Sequence, residues 1–390
     1  MCRVSGKASR VPTFGSAAPP ERLHRIGTGW NHALRGARPA GYHGHCLPSL
    51  RRVLVLYNTD YDAELIAAVD VSAVRVSAEA VAGAVATAGY QCELMGLHGA
   101  DLGVLLERLT SDPPDLVFNL CESLNGDARN EMVVPAVLDM LGVRYTGTGA
   151  LGIGLCLHKD RTKELLRAQA VPTPASRLVR HPRDLEAPLE VLGFPCFLKL
   201  VHEDASVGID ARNRVADARA LALRAGELLA QYRQPVLVER FIDGREVNVT
   251  LLGNAPALEV LPLHEIDFGA MPPERPHIVS YAAKWDERHE EYAGTRPVPM
   301  PPDPALEARI EDAARRAFAA LGVRDFGRVD LRVDASGQPW VIDVNPNCDL
   351  SPDAGVARAA AQAGLAYAAL IGRICEIAWS RYEDPSGHGG

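Results

Sequence analysis

Two arms of alternating residues near the C-terminal end of the chain constrain its fold more than any other segment. Residues 326–347 read Phe-Gly-Arg-Val-Asp-Leu-Arg-Val-Asp-Ala-Ser-Gly-Gln-Pro-Trp-Val-Ile-Asp-Val-Asn-Pro-Asn. In each arm, two sets of residues alternate with the period of a strand that has one apolar face. The expected apolar faces are Val329, Leu331 and Val333, then Trp340, Ile342 and Val344; the opposite faces are Arg328, Asp330 and Arg332, then Val341, Asp343 and Asn345. The pattern predicts a β-hairpin.

This hairpin would bring two carboxylates face to face. If Ser336 and Gly337 form a two-residue turn, Asp330 lies opposite Asp343, and Asn345 follows two residues along the same face. Opposed carboxylates destabilise a sheet. A hard divalent cation between them removes the repulsion, because Mg²⁺ accepts carboxylate and amide oxygens, usually with phosphate completing its shell. The hairpin therefore predicts a nucleotide-handling enzyme.

Length, charge and cysteine usage narrow the class of protein. A chain of 390 residues exceeds one ordinary core and suits two or three domains. A net charge of −8 without a basic stripe argues against a nucleic-acid partner, and no apolar run approaches the ~20 residues of a membrane helix. The eight cysteines lack the spacing of zinc ligands. We therefore expect reduced thiols in a cytoplasmic protein that has no membrane partner.

The chain divides by pattern into an N-terminal extension and three units. Residues 1–50, rich in Arg, Gly, Pro and Ala, predict a disordered extension or a mis-assigned start. Residues 51–147 alternate strand and helix patterns, which predicts an α/β domain on a parallel sheet. Residues 148–234 and 235–385 predict two further domains, with α+β character in the C-terminal half. Proline and charge over residues 264–300 predict a long functional loop within the last one.

Several elements are expected inside these units. A strand at Arg52–Tyr57 opens the first unit, and a strand at Val143–Thr146 closes it. One helix is expected over about Ala150–Gln169 and another over about Val356–Trp379.

Lysines and carboxylates at strand ends are candidates for nucleotide contact. Lys159 follows a helical pattern, and Lys199 ends an apolar strand before the small-residue loop His202–Gly208, which could fold over phosphates. Taken alone, each lysine is more consistent with a solvated surface charge, and the loop is also consistent with an ordinary hairpin connection. Glu239 and Glu246 flank a tight turn, where they could contact a nucleoside or solvate a hairpin edge.

Taken in order, these segments resemble the ATP-grasp superfamily, in particular its D-alanine–D-alanine ligase-like branch. The resemblance covers about residues 52–380. The segments that carry it are Leu157–Leu166, Phe197–Lys199, Val236–Val249, Gly327–Asn345 and Ala359–Tyr367. The resemblance implies a three-domain architecture in which two domains sandwich ATP. It also implies that a carboxylate is phosphorylated and that an amine then attacks the acyl phosphate.

The resemblance assigns roles to individual residues. It implies that Asp330, Asp343 and Asn345 bind two Mg²⁺ ions, with Mn²⁺ able to substitute. Lys284 would approach the terminal phosphate, and Arg328 would stabilise the tetrahedral oxyanion. The implied ATP contacts are Lys159, Lys199 and Ser206 at the phosphates, Glu239 and Glu246 beside the adenosine, and Arg240, Phe241 and Ile242 around the base.

The chain departs from the branch in its substrate-binding segments. The dipeptide ligases carry His-Gly and Gly-Glu-Asp-Gly segments where this chain reads Asn119–Glu131, and a serine-leucine pair where it has Ala354-Gly355. Loss of a hydroxyl that bonds a substrate carboxylate typically costs ~1.5–3 kcal/mol. We therefore expect substrates other than two D-alanines. The candidate replacement contacts are Glu122, Asn125 and Arg129, for which a solvated loop is an equal alternative.

The predicted function is that of an ATP-dependent carboxylate–amine ligase acting on small amino-acid-like substrates. The alternatives are a true D-alanine–D-alanine ligase and a catalytically inactive ATP-binding regulator. The family resemblance also implies a homodimer.

Overall fold

The computed structural model describes residues 50–59, 71–185 and 192–383. The extension predicted over residues 1–50 lies outside them except for Leu50. The described residues form one compact unit. Within the described part of this unit, no helix has both the length and the apolar character needed to cross a membrane.

The N-terminal part is built on a parallel three-stranded sheet with the order β2-β1-β3. Its strands are β1 (Arg52–Asn58), β2 (Gln91–Leu97) and β3 (Leu116–Asn119). The helices of this part are α1 (Val71–Thr87), α2 (Leu102–Ser111) and α3 (Val133–Leu141). The predicted α/β character is therefore confirmed. The strand expected at Val143–Thr146 is wrong, since only Tyr145 bridges to this sheet before the chain turns at Gly147.

A second sheet is antiparallel, with four strands in the order β4-β7-β5-β6. Its strands are β4 (Ser176–Val179), β5 (Cys196–Leu200), β6 (Arg214–Val215) and β7 (Val236–Arg240). Three helices lie in the same stretch of the chain: α4 (Ala150–Leu157), α5 (Lys159–Ala168) and α6 (Ala218–Tyr232). Helix α6 packs Leu221, Ala225 and Leu228 into the core of this sheet. Because β7 pairs with β4 and β5, the sheet includes residues on both sides of the boundary predicted at 234/235.

The third sheet has six strands, with the path β11-β10-β8-β12-β13 and β9 paired to β8. Its strands are β8 (Arg245–Asn254), β9 (Ala257–Val260), β10 (His264–Asp267), β11 (Arg296–Pro299), β12 (Phe326–Val333) and β13 (Pro339–Asn345). Helix α9 (Pro304–Ala320) packs Ile310, Ala314 and Phe318 against its core. Asp303 begins this helix by accepting from the Leu306 N–H, with proline at the first helical position.

The long loop predicted over residues 264–300 is wrong. The segment contains β10 and β11, which pair with each other, and two short helices, α7 (Tyr281–Trp285) and α8 (Glu290–Ala293). Strand β11 contains Pro297 and Pro299 and lies at the edge of the sheet, where missing N–H donors are tolerated. The prolines that suggested a loop therefore mark an edge strand.

Two predicted helices are each divided in the structure. The helix expected over Ala150–Gln169 breaks at His158, whose backbone is not helical, and continues as α5. The helix expected over Val356–Trp379 is divided into α10 (Gly355–Gln362) and α11 (Tyr367–Glu383). Gly364 stands between these two with φ of +78°, a left-handed conformation that glycine adopts without the steric cost of a side chain.

Candidate active site

Strands β12 and β13 form the predicted hairpin, and Asp330 pairs directly with Asp343, as the sequence predicts. The turn differs from the expected two residues, because Val333 pairs with Pro339 and leaves a five-residue connection closed by Asp334. A register shift then follows between Asp330 and Leu331, where Ile342 is the extra residue of β13. The turn and this bulge offset each other. The two carboxylates consequently face one another.

The bulge changes which residues of β13 enter the core. Val341 and Val344 are buried, whereas Trp340 and Ile342 are only partly so. The predicted apolar face of Trp340, Ile342 and Val344 is therefore wrong, because one inserted residue reverses the alternation on one side of the bulge.

Asp330 accepts hydrogen bonds from three residues on its own sheet. Arg328 donates from Nε and Nη2 to the two carboxylate oxygens, at 2.8 and 2.9 Å. Asn248 and Asn345 donate from Nδ2 at 2.8 and 3.1 Å. Burial alone would lower the pKa of Arg328, but the Asp330 charge outweighs it and raises that pKa. Asn248 was not predicted, although its alternation with Glu246 on β8 places the two residues on one face.

Asp343, the second carboxylate of the Asp330–Asp343 pair, lies beside lysines. Lys159 Nζ is 4.0 Å from its carboxylate and donates to the Glu203 carbonyl at 2.8 Å and to Asp204 at 2.5 Å. Burial opposes ionisation of Asp343, but the charges of Lys159, Lys199 and Lys163 dominate and lower its pKa. Asp343 is therefore held as a carboxylate.

A buried Lys163–Glu239–Lys199 group adjoins this carboxylate. Lys163 Nζ lies 2.9 Å from Glu239 Oε1, and Lys199 Nζ lies 2.9 Å from Glu239 Oε2. Lys163, Glu239 and Lys199 are 1%, 3% and 7% exposed, respectively. Burial raises the pKa of Glu239, but the two ammonium groups more than reverse this and lower it. Glu239, predicted to flank the adenosine, thus has both oxygens on lysines. Lys163 was not predicted.

A second cluster of charges lies at Glu246 and Lys284. Arg332 donates from Nη1 to Glu246 at 3.1 Å and from Nη2 to the Gly244 carbonyl at 2.9 Å. Burial raises the pKa of Glu246. Burial first, and then the Arg328 charge, lowers the pKa of Lys284, which also faces Asp330 and Asp343.

The predicted base-pocket residues lie at the end of β7 and directly after it. Phe241 and Ile242 are buried, whereas Arg240 is exposed. The guanidinium carbons of Arg332 and Arg214 lie 4.9 and 5.1 Å from the centre of the Phe241 ring, within cation–π distance.

The loop over residues 202–208 is tied to the segment that carries Lys284. Ser206 Oγ donates to the Val279 carbonyl at 3.0 Å, and Trp285 Nε1 donates to the Ala205 carbonyl at 3.1 Å. Ala205 and Ser206 both adopt positive φ, which makes the loop sharply turned. The predicted phosphate-covering loop therefore contacts the edge of the site.

The segment after β3 forms the remaining wall. Solvent reaches the Glu122 side chain, yet the protein packed around its carboxyl and the charges of Asp349 and Asp204 raise its pKa to about 8. Arg129 bonds instead to Asp127 within a local exposed turn.

Two further residues of this wall were not predicted. Glu131 is 7% exposed and accepts from Asn347 Nδ2 at 3.2 Å, and the same amide nitrogen donates to the Cys121 carbonyl at 3.0 Å. Burial, and then the charges of Asp204 and Glu122, raise the pKa of Glu131 well above its usual range. The remaining predicted contact is Asn125, which lies close to Gly99. The backbone of Asn125 has a positive φ.

The arrangement suits a polyanion together with a hard cation. Lys159, Lys199, Lys284 and Arg328 lie around Asp330 and Asp343 in a largely buried setting. In the described part of the chain no three His, Cys, Asp or Glu side chains converge as a metal site. The amide oxygen of Asn345 would therefore be needed to complete the donor set, and carboxylate with amide oxygens is a combination that Mg²⁺ accepts.

Comparison with known proteins identifies the family. Residues 169–376 match the model described as D-ala D-ala ligase C-terminus. The chain is 33% identical over 280 residues to the D-alanine–D-alanine ligase of Chromohalobacter salexigens, covering 72% of this chain and 82% of that protein. It is 38% identical over 294 residues to the protein y4sG of Sinorhizobium fredii, with the same two coverages. The chain belongs to the D-alanine–D-alanine ligase family.

Solved structures agree with this family at the level of the fold. The D-alanine–D-alanine ligase from Bacillus anthracis, crystallised with ATP, superposes with a TM-score of 0.66 at 21% identity, covering 85% of this chain and 99% of that one. The VanG D-Ala:D-Ser ligase from Enterococcus faecalis gives a TM-score of 0.63 at 19% identity, with coverages of 84% and 99%. These structures confirm the predicted fold, and membership of the D-alanine–D-alanine ligase family confirms the predicted ligase class.

Proposed function

We propose that this family member is an ATP-dependent carboxylate–amine ligase that joins amino-acid-like substrates other than two D-alanines. One observation carries the proposal: Asp330 faces Asp343 across a hairpin, with Arg328 on the first carboxylate and Lys159 near the second. Three domains, as predicted from the sequence, would enclose this site. The cytoplasmic location and the homodimer remain parts of the same proposal.

The reaction would proceed in two balanced steps. A substrate carboxylate oxygen attacks the terminal phosphorus of ATP, which forms an acyl phosphate and breaks the bond to ADP. The amine of the second substrate then attacks the acyl carbon, loses a proton and expels inorganic phosphate, leaving an amide. Positioning and charge neutralisation dominate such chemistry, because the transferred group carries dispersed negative charge.

Asp330, Asp343 and Asn345 would hold Mg²⁺, with Mn²⁺ as a substitute. When bound, the metal supplies positive charge that neutralises the phosphate oxygens. Arg328 already chelates Asp330, so a cation there would share those oxygens with the guanidinium.

The lysines and Arg328 would neutralise the reacting groups. Lys159 and Lys199 are buried beside Asp343 and would bind phosphate oxygens, while Lys284 would approach the terminal phosphate. Arg328 would stabilise the oxyanion that forms when the amine attacks. Glu246 and the residues 240–242 would contact the nucleoside. Glu239 would act through the two lysines that it binds.

The wall formed by residues 119–131 supports a substrate pair different from that of the dipeptide ligases. Burial, together with nearby charges that include Asp204, raises the pKa of Glu122 and of the buried Glu131. Such a concentration of carboxyl groups suits an amine-bearing substrate. The side chain of Arg129 pairs locally with Asp127, which leaves Glu122 the stronger of the predicted contacts.

An ADP-release screen over D- and L-amino acids, dipeptides and hydroxy acids, with products identified by mass spectrometry, tests the proposal. We expect substrate-dependent ADP release with an amide product, poor turnover of D-alanine alone, and loss of release in Asp343→Asn. Asp312→Asn, on the exposed face of α9, is the matched control and should remain active.

Two results would replace the proposal. Efficient D-alanyl-D-alanine formation, the activity named for the Chromohalobacter relative, would assign the protein to that reaction. Nucleotide binding without ADP release for any substrate would favour an inactive regulator. Sedimentation of the full chain tests the homodimer separately.

A further inference from the structure

The bulge at Ile342 has its own set of donors. Strand β13 lies at the edge of the six-stranded sheet, so the backbone on its outer side has no strand partner within that sheet. The Ile342 carbonyl accepts from Lys163 Nζ and Lys199 Nζ, both at 3.0 Å. The Val341 carbonyl accepts from Lys163 Nζ at 2.9 Å and Thr173 Oγ1 at 2.8 Å.

The ammonium group of Lys163 contacts other protein groups and not the cleft. Its ammonium has three N–H groups and makes three contacts: the Val341 carbonyl, the Ile342 carbonyl and Glu239 Oε1 at 2.9 Å. The side chain is 1% exposed. Burying a charge costs free energy unless the charge is fully paired, and an apolar side chain at this position would avoid that cost. The presence of a lysine here therefore indicates a role that an apolar side chain could not fill.

Lysine is scarce in this chain and is concentrated at this site. The sequence contains five lysines among 41 lysine and arginine residues, and four of the five lie at this site: Lys159, Lys163, Lys199 and Lys284. Arginine serves nearly everywhere else. An ammonium places its three donors on one compact nitrogen, whereas a guanidinium presents its donors in a rigid planar fork.

The bulge also decides where Asp343 lies. Without the extra residue, the pairing of Leu331 with Val341 would continue and place Ile342 opposite Asp330. Asp343 would then fall on the other face of the strand, because a one-residue slip inverts side-chain orientation. Holding the bulge therefore holds the proposed metal ligands opposite one another.

We propose that Lys163 is a positioning residue for the cation site: by binding the Val341 and Ile342 carbonyls it fixes the bulge that sets Asp343 across from Asp330. It touches no substrate in this role. The inference rests on the proposed function only for its activity readout, since metal and nucleotide binding can be measured without ligation.

The test compares Lys163→Met with the matched control Thr173→Val. Thr173 contacts the same strand but donates to Val341 alone, so its loss leaves the Ile342 carbonyl with both lysines. Mn²⁺ binding in the presence of ADP, followed by electron paramagnetic resonance on the full chain, gives the direct readout. We expect Lys163→Met to weaken Mn²⁺ about tenfold or more, as loss of groups that orient metal ligands typically does. Thr173→Val should change it less than threefold.

The steady-state readout separates positioning from phosphate contact. In Lys163→Met the half-saturating Mg²⁺ concentration should rise about tenfold while the KM for ATP at saturating Mg²⁺ stays within about threefold. A changed ATP KM with unchanged metal dependence would overturn the proposal and make Lys163 a phosphate ligand. Unchanged metal binding in a folded variant would overturn it as well.

Lys163→Gln covers the case in which the methionine variant does not fold. Its shorter side chain carries two N–H donors and no positive charge, against three donors on the lysine ammonium, so Mn²⁺ affinity should fall between wild type and the loss expected for methionine. A Lys163→Gln protein that binds Mn²⁺–ADP like wild type refutes the role. If wild type binds Mn²⁺–ADP yet ligates no substrate, the proposed function fails while this inference is still decided by the metal readout.

Discussion

At the scale of single residues, Arg328 is the group whose partner would change most during the reaction. In the structure it chelates Asp330, which accounts for its raised pKa and keeps it charged. An oxyanion forms only in the transition state, so a residue that binds it affects kcat more than ground-state affinity.

Arg328→Ala should therefore lower kcat by about 10²–10³-fold, the usual effect of removing one oxyanion donor, with a much smaller change in the KM for ATP. Steady-state kinetics with ATP varied at saturating substrate measure both. Arg75→Ala, on an exposed helix face, is the control and should behave as wild type. An effect confined to the KM for ATP would remove the oxyanion role.

His202 gives a second residue-scale prediction, for stability against pH. Burial first, and then the charges of His158 and Arg129, lower its pKa from 6.5 to about 4. The folded protein thus resists protonation that the unfolded chain accepts between these values. Stability is complete above pH 6.5 and falls as the pH drops toward 4, by at most ~1.4 kcal/mol per pH unit from this group.

Urea unfolding at pH 7.5, 6, 5 and 4.5 should show a shallower acid loss in His202→Asn than in wild type. His98→Asn, which alters an exposed histidine, should leave the wild-type slope in place. Parallel pH curves for His202→Asn and wild type would show that His202 does not carry this loss.

At the scale of elements, Trp285 of helix α7 donates to the Ala205 carbonyl of the loop 202–208, and Ser206 of that loop donates to the Val279 carbonyl just before the helix. Trp285→Phe removes the bond to the Ala205 carbonyl and leaves most of the ring. Since a hydrogen bond contributes ~1 kcal/mol, we expect the KM for ATP to rise about three- to tenfold with little change in kcat.

Trp340→Phe is the matched control, because its indole donates to Asp334 at the hairpin turn. It should leave the KM for ATP unchanged. Equal effects of both substitutions would point to general loosening rather than to closure of the loop over nucleotide.

The hairpin shows how far sequence reasoning reaches at this scale. Alternation predicted both strands and the Asp330–Asp343 pair, because side-chain period is a local property. The bulge was not predictable, since an inserted residue and a changed turn offset one another in the pattern. Lys163 was not predicted because its partners are mainly backbone carbonyls, and contacts with backbone carbonyls cannot be inferred from residue types. The scarcity of lysine was the signal that could have revealed it.

At the scale of the whole molecule, Asp325 joins distant parts of the chain. It is fully buried and accepts from Arg381 of helix α11, from the Gly147 backbone and from Asn254 of β8. Arg381 also donates to the Tyr145 carbonyl at 2.8 Å. Contacts across 56 to 178 residues of sequence cannot be inferred from local pattern, and neither could the Glu131–Asn347 bond of the cleft.

Asp325→Ala should lower the free energy of unfolding by ~3–5 kcal/mol, because it leaves the Arg381 guanidinium buried and uncompensated. Chemical denaturation at pH 7.5 measures the change, with Asp312→Asn as a surface control expected within ~0.5 kcal/mol of wild type. A loss below ~1 kcal/mol would mean that water or a rearranged partner satisfies Arg381.

The lysine contacts on strand β13 have a consequence for solubility. An uncovered sheet edge can recruit a strand from another molecule and seed aggregation. Here the outer backbone of β13 is already engaged, through the Val341 N–H on Pro172 and the carbonyls on Lys163, Lys199 and Thr173. Loss of those contacts would expose an unpaired strand edge that can pair with another molecule. Variants that lose them should therefore precipitate at concentrations where the parent protein stays clear.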